Sequence, residues 1–420
     1  MAVGQHVNRE RLRSDIETNA EFGKMQTDEG RGRTALPGTT ANRECREFLV
    51  SSLNECGFEV RIDAVGNISG QWTPPGSSRN TSPVVTGSHL DSVPEGGIFD
   101  GPLGIYAGLE AVRALQAADR ELHRPIRVVS FTEEEGYRFS DGVLGSSVAS
   151  GDIDVEEALA SEDRDGVSLR EVLSDIGFKG EGRIRADQWD SWIELHVEQG
   201  DYLEVAEITA GVVTSIVGTI RCHVVLTGEA NHAGTTSMSR RNDPIPAASE
   251  IILAVEDIVE DKLAIGHKTA VGTVGEVRVE PNVINIVPEH VELGIDIRDV
   301  DYTVMKSIMD HVEARLKDVS DERDIGVKFS RPYDIRPVQM STRCQSAIHR
   351  AAKEASVSVM DLHSGAGHDT MQIARVTDGG MIFAPSRRGL SHSTQEWTDW
   401  SDCAECTRVL AGSLACLASK

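Results

Sequence analysis

His89-Leu90-Asp91-Ser92-Val93-Pro94-Glu95-Gly96-Gly97-Ile98-Phe99-Asp100-Gly101 puts a histidine, two aspartates and three glycines into thirteen residues. The apolar run Pro83-Val84-Val85-Thr86-Gly87 leads into it, and a helix-like stretch starts at Leu103. Imidazole and carboxylate are good ligands for a divalent cation, and glycines let the backbone fold tightly around one. A ligand-rich loop between a strand and a helix lies where open α/β sheets form their binding crevice, outside the carboxyl ends of the strands. This stretch therefore points to an α/β fold with its chemistry at the strand ends.

The flanking sequence repeats that grammar. Leu103 to Leu122 reads as a helix, with Ile105, Leu109, Val112 and Leu115 on one side. Ile126 to Phe131 reads as a strand running into Glu133-Glu134-Glu135, and Trp192 to His196 as another strand with a charged end. Upstream, Asn42 to Leu53 is an amphipathic helix, Phe58 to Ile62 a strand and Gly66-Asn67 a turn. Strand, helix, strand is the signature of an α/β layer with parallel neighbours. From about Val213 the order becomes β-α-β-β-α-β, which suggests a ferredoxin-like unit. The simplest topology is a mixed-sheet α/β domain, residues 1–212 and 331–420, with a small domain of residues 213–330 inserted.

Composition narrows the function. The formal charge of −25 argues against a nucleic-acid partner, because neutralising phosphates requires clustered Lys and Arg. No stretch approaches the roughly 18 consecutive apolar residues that span a bilayer. The polar Met1 to Arg13 lacks the apolar centre of a secretory signal, so the cytoplasm is the expected location. Seven scattered cysteines do not suggest a disulfide framework, and the Cys403/Cys406 pair has no second CxxC to complete a zinc site.

Four predicted strand ends carry candidate ligands: His89 with Asp91 and Asp100, the Glu133–Glu135 run, His196 with Glu198-Gln199-Gly200, and His392 in a loop after Met381–Phe383. Adjacent carboxylates can divide the labour, one binding metal and the other taking a proton from water. The inventory suits a two-metal hydrolytic site with a bridging aspartate. A serine elbow, a helix-borne HExxH, a Walker A loop and a dinucleotide fingerprint after the first strand are all missing from the sequence.

Together the motifs resemble the M20 metallopeptidase superfamily, and within it the N-carbamoyl-L-amino-acid hydrolase and allantoate amidohydrolase branch. The matching segments are HLDSVPEGGIFDGPLG at 89–104, FTEEEGYRF at 131–139, ELHVEQG at 194–200, ANHAGTTSMSRR at 230–241, PNVINIVP at 281–288, DIR at 296–298, SGAGHDT at 364–370 and PSRRGLSHS at 385–393. The resemblance implies that His89 and His196 bind one divalent metal, Glu135 and His392 a second, and that Asp100 bridges them. It implies Zn, Mn, Co or Ni as the metal. Asp91 is expected to orient His89 from behind, and Glu134 to be the general base. Glu133 adds a charge where relatives often carry a neutral residue. His232 is expected to hydrogen-bond the oxyanion across a dimer interface, and Asn282 and Arg298 to bind a substrate carboxylate. Gln199 and the backbone around Gly367 are expected to touch the ureido or amide group, with His368 and Asp369 behind them. The insert would then be a lid and dimerisation domain moving on hinges near 212 and 330. Ser237-Met238 and Arg240-Arg241-Asn242-Asp243-Pro244 depart from the family pattern, which bears on loop shape and substrate preference. The implied reaction is hydrolysis of the C–N bond of a small N-carbamoyl (ureido) L-amino acid by a homodimer. Allantoate, ureidoglycolate or another amide are the alternatives.

Overall fold

The computed structural model describes residues 3–27, 29–118 and 120–419. Met1, Ala2, Asp28, Asp119 and Lys420, all within the two segments expected to form the larger domain, lie outside them. The chain divides into two compact units, residues 1–215 with 339–420, and residues 216–338.

In chain order the strands are β1 (Glu59–Ile62), β2 (Ile68–Trp72), β3 (Val84–His89), β4 (Ile126–Phe131), β5 (Ser191–Val197), β6 (Ala210–Ile216), β7 (Gly218–Thr227), β8 (Asn231–His232), β9 (Val271–Glu280), β10 (Ile286–Val287), β11 (His290–Asp299), β12 (Gly326–Ile335), β13 (Val338–Gln339), β14 (Val359–Ser364) and β15 (Asp378–Ala384). The first unit holds a mixed sheet in the order β1-β2-β4-β3-β5-β15-β6-β13, with β14 on β6. Its centre, β4-β3-β5-β15, is parallel, while β2 and β6 flank it antiparallel. The parallel strands therefore end on one side, with His89 level with Phe131 and His196 level with Phe383.

These strands are buried along nearly their whole length, as parallel strands covered on both faces must be. The helix Pro102–Ala117 is buried on almost every side and joins the main apolar core with the closing helix Trp400–Ala418. It begins with Pro at its first position, where no backbone donor is needed. It ends at Ala117, short of the expected Leu122. Leu122 still reaches the core from beyond the helix, and the next residue, His123, donates its N–H to the Ala418 carbonyl at 2.8 Å. The Gly66-Asn67 turn is closed by Asp63, whose Oδ1 accepts the Val65 and Asn67 N–H groups at 3.1 and 2.9 Å. That turn returns the chain as β2, a short strand that the sequence pattern does not announce.

The second unit is an antiparallel four-stranded sheet, β12-β7-β11-β9, with the helices Pro244–Ala264 and Tyr302–Arg323. Alternate residues explain it. Ile220, Cys222, Val224 and Leu226 of β7 and Val291, Leu293, Ile295 and Ile297 of β11 meet Ile251, Val255, Met305, Ile308 and Val312 of the helices in one core. The short pair β8/β10 carries His232.

Candidate metal centre

Each candidate ligand is delivered by a strand of the parallel group or by the loop after it. His89 ends β3, Glu134 and Glu135 follow β4, His196 lies in β5, and His392 follows β15. Asp100 returns over the strand ends through the Gly96-Gly97 loop. Two glycines make that return possible. A Cβ on Gly97 would meet the Glu396 carboxyl carbon at 2.3 Å, and one on Gly101, at φ +80°, would meet the His89 ring at 2.6 Å.

The Asp100 carboxylate divides its two oxygens between two groups of ligands. Oδ1 lies 3.4 Å from His89 Nε2 and 3.2 Å from His196 Nε2. Oδ2 lies 3.4 Å from His392 Nε2, which in turn is 3.3 Å from Glu135 Oε2. Glu134 Oε2 stands 3.6 Å from His89 Nε2. The ligand atoms of His89, Asp100 and His196 fall within 4.8 Å of one another, as do those of Asp100, Glu135 and His392.

The buried imidazoles are held from behind by main-chain carbonyls. His89 Nδ1 is 3.1 Å from the Asp91 carbonyl, and His196 Nδ1 is 3.0 Å from that of Val197. A carbonyl accepts only, so each Nδ1 donates a proton to it, which leaves Nε2 as the ring atom aimed at the cluster and free to ligate a cation once deprotonated. Both Nε2 atoms are buried without a hydrogen-bond partner among the described residues. Two orphaned, aimed imidazole nitrogens sharing one carboxylate fit a divalent cation. Asp91 thus orients His89 through its backbone. Its carboxylate faces the next loop, where Oδ2 accepts the Glu135 N–H at 3.2 Å.

Burial and neighbouring charges shift the groups of this cluster from their ordinary values. Burial pushes Asp100 up, but His196, His392 and His89 outweigh it and hold the carboxyl well below its usual range. Burial pulls His89 down, yet Glu134, Asp100 and Asp91 hold it well above its ordinary value. Burial, then Asp100, pushes Glu135 up to about 7. Burial raises Glu134 well above the carboxylate range, with Glu135, Asp369 and Asp100 adding to it and His89 opposing. His392 rises to about 9, chiefly through its hydrogen bond to Asp100. Glu133 is turned away: its Oε1 accepts the Arg138 and Phe139 N–H groups, each at 2.7 Å.

Gln199, at φ +61°, donates from Nε2 to Asp100 Oδ2 at 2.9 Å, while its buried Oε1 has no partner among the described residues. Gly367 lies in the loop after β14, where an added Cβ would meet nothing within 4 Å. His368 is buried edge-on to the His196 ring with centroids 4.5 Å apart, and Asp369 beside it is buried and pushed well above the carboxylate range by that burial.

His232, Asn282 and Arg298 belong to the second unit. His232 is exposed, and its Nδ1 accepts the Gly234 and Thr235 N–H groups at 3.0 and 3.2 Å. Its proton therefore sits on Nε2, which faces outward as a donor. Asn282 is exposed at φ +52°. Arg298 is gripped by Asp296, with Nε to Oδ1 at 2.8 Å and Nη2 to Oδ2 at 3.3 Å.

Two buried carboxylates that sequence reasoning passed over brace the cluster. Glu194 of β5 accepts Ser88 Oγ at 2.7 Å and Thr370 Oγ1 at 2.7 Å, tying β5 to β3 and to the short helix Asp369–Ile373. Glu396 Oε1 accepts the N–H groups of Phe99 and Asp100, both at 3.0 Å, and its Oε2 accepts Ser391 Oγ at 2.8 Å. Ser391 also lies 3.0 Å from Asp100 Oδ2. Glu396 thus fixes the backbone that aims Asp100. Glu396→Ala is expected to weaken divalent-metal affinity about 10- to 100-fold, the usual cost of losing a ligand's support. Glu396→Gln should recover part of it, since its carbonyl oxygen still accepts the two N–H groups. Competition with a chromogenic chelator measures both.

The model of peptidase family M20/M25/M40 matches residues 85–415. The chain is 38% identical over 394 residues to the N-carbamoyl-L-amino acid amidohydrolase of Geobacillus stearothermophilus, covering 93% of this chain and 94% of the relative. It is 35% identical over 389 residues to the allantoate amidohydrolase of Bacillus subtilis, covering 91% of each. The crystal structure of an amidase of the hydantoinase/carbamoylase family from Burkholderia multivorans superposes with a TM-score of 0.91 at 31% identity, covering 99% of both chains.

Proposed function

The chain belongs to peptidase family M20/M25/M40, and from that premise we propose that it is a metal-dependent amidohydrolase cleaving the C–N bond of an N-carbamoyl (ureido) L-amino acid. The observation that carries this reading is the division of Asp100 between two ligand groups. His89 and His196 would hold one divalent cation and Glu135 and His392 a second, with Asp100 placed to serve both. Zn, Mn, Co and Ni all suit such mixed imidazole and carboxylate ligands. Cations held there supply Lewis acidity, which acidifies water and polarises a carbonyl.

The chain's own residues do the rest. Glu134, which the ligand set leaves over, takes a proton from the attacking water and returns it to the leaving nitrogen. The outward Nε2–H of His232 stabilises the oxyanion. Asn282 and Arg298 bind the substrate carboxylate, Arg298 being pre-oriented by Asp296. Gln199 and the backbone at Gly367 contact the ureido group. The products are ammonia, carbon dioxide and an amino acid. The second unit serves as a ferredoxin-like lid and dimerisation domain of a cytoplasmic homodimer. Allantoate is the second candidate substrate, supported by the Bacillus subtilis relative.

A panel of N-carbamoyl amino acids, allantoate, ureidoglycolate and neutral amides, assayed for ammonia with each metal, tests this reading. Turnover confined to neutral amides would overturn it. Within the panel, Arg298→Ala should raise KM for N-carbamoyl amino acids about 30-fold, the equivalent of about 2 kcal/mol for a lost charge-assisted pair. An unchanged KM would remove Arg298 from carboxylate binding.

A further inference from the structure

A cavity of about 270 Å³ in the first unit shares no residue with the metal-ligand cluster. Its floor follows from strand register. Glu59 pairs with Gln71, Arg61 with Ser69, and Gln71 with Arg127, so alternate residues of β1, β2 and β4 put these polar side chains on one face. Arg79 closes one side, and the segment carrying Arg183 and Arg185 closes another. Five guanidinium groups thus line a hollow whose only lining carboxylate among the described residues is Glu59.

The acids within reach do not balance them. Glu59 is shared between Arg61 at 3.4 Å and Arg79 at 3.1 Å. Arg185 is taken by Asp187 at 2.5 Å. Arg127 is partly buried and bonds the neutral Gln71 Oε1 at 2.7 Å; burial and then Arg61 pull it below the usual arginine value. Arg183 has no carboxylate within ion-pair distance among the described residues. Gathering like charges around a partly desolvated arginine is costly unless an anion compensates. The excess stands out further in a chain whose formal charge is −25 and whose overall field repels anions.

We propose that this hollow binds a phosphoryl dianion, either free phosphate or a small phosphate monoester, at a site separate from the metal-ligand cluster. The planar fork of arginine matches phosphate oxygens two at a time, and forks from different elements converge here. Arg127 lies near the start of β4 and Glu134 past its end, at least about 13 Å further along the strand direction.

Calorimetric titration of the metal-loaded protein with inorganic phosphate at low ionic strength tests the assignment. One phosphate per chain is expected, weakening as salt is raised. Affinity should fall at least about tenfold in Arg127→Gln/Arg183→Gln and persist in His89→Ala. Arg61→Gln/Arg183→Gln, which changes only exposed side chains, should show the same fall and keeps the test valid if Arg127→Gln disturbs β4. Titration with glycerol phosphate separates the two ligand sources, tighter binding identifying a monoester and weaker binding the free ion. Absence of binding to the unaltered protein overturns the proposal, as does equal affinity in both arginine variants. So does binding lost in His89→Ala but kept in the arginine variants, which would place the anion at the metals.

Discussion

Glu134→Gln is expected to lower kcat for ureido hydrolysis about 10²- to 10⁴-fold, the usual contribution of a positioned general base, while metal content stays unchanged. The amide has nearly the shape of the carboxylate, so packing survives, but it cannot carry a proton from water to the leaving nitrogen. Glu134 suits the task by its position at the edge of the ligand cluster. Its Oε2 lies 3.6 Å from His89 Nε2, while the adjacent Glu135 is the carboxylate that faces His392. Glu133→Gln is the control, because Glu133 is occupied by the backbone N–H groups of Arg138 and Phe139 and should leave turnover largely intact. Ammonia release together with elemental analysis separates the outcomes. A Glu134→Gln protein with full turnover would eliminate it as the base.

Asp100→Ala is expected to weaken both metal sites together, each by more than about 10²-fold, since losing only the support of a ligand already costs about 10- to 100-fold. Its Oδ1 faces His89 and His196 while its Oδ2 faces His392, so a single truncation opens both ligand groups. His392→Ala is the contrast, because it should empty one site and leave the pair His89/His196 with a cation. Metal content after dialysis distinguishes them. Loss of a single equivalent from Asp100→Ala would mean that the carboxylate is not shared.

The parts of the site set by local pattern were legible in the sequence. His89, the Glu133–Glu135 run and His196 each terminate an apolar run of strand length, and a parallel sheet gathers such ends on one side. What was not legible depends on contacts remote in sequence. Glu396 looks like an ordinary loop acid four residues after His392, and only the fold brings it against the backbone of Phe99 and Asp100. Glu194 reads as the charged end of a strand but is buried, because Ser88 and Thr370 complete its hydrogen bonds from 106 and 176 residues away. Asp91, two residues after His89, suggested a carboxylate behind the ring, yet it is the Asp91 main-chain carbonyl that reaches Nδ1. Strand β2 follows a local Asx turn at Asp63 that periodicity does not report, and beyond the helix end at Ala117 the chain is tied at His123 to the remote Ala418 carbonyl.

The proposed two-cation site around Asp100 would support hydrolysis of ureido C–N bonds. It is tested most directly by titrating Mn²⁺ into chelator-stripped protein while following ammonia release from an N-carbamoyl-L-amino acid. No turnover is expected without metal, and the rate should reach its plateau at two equivalents per chain, as a two-cation site requires. Full turnover by the stripped protein, or a plateau at a single equivalent, would contradict it.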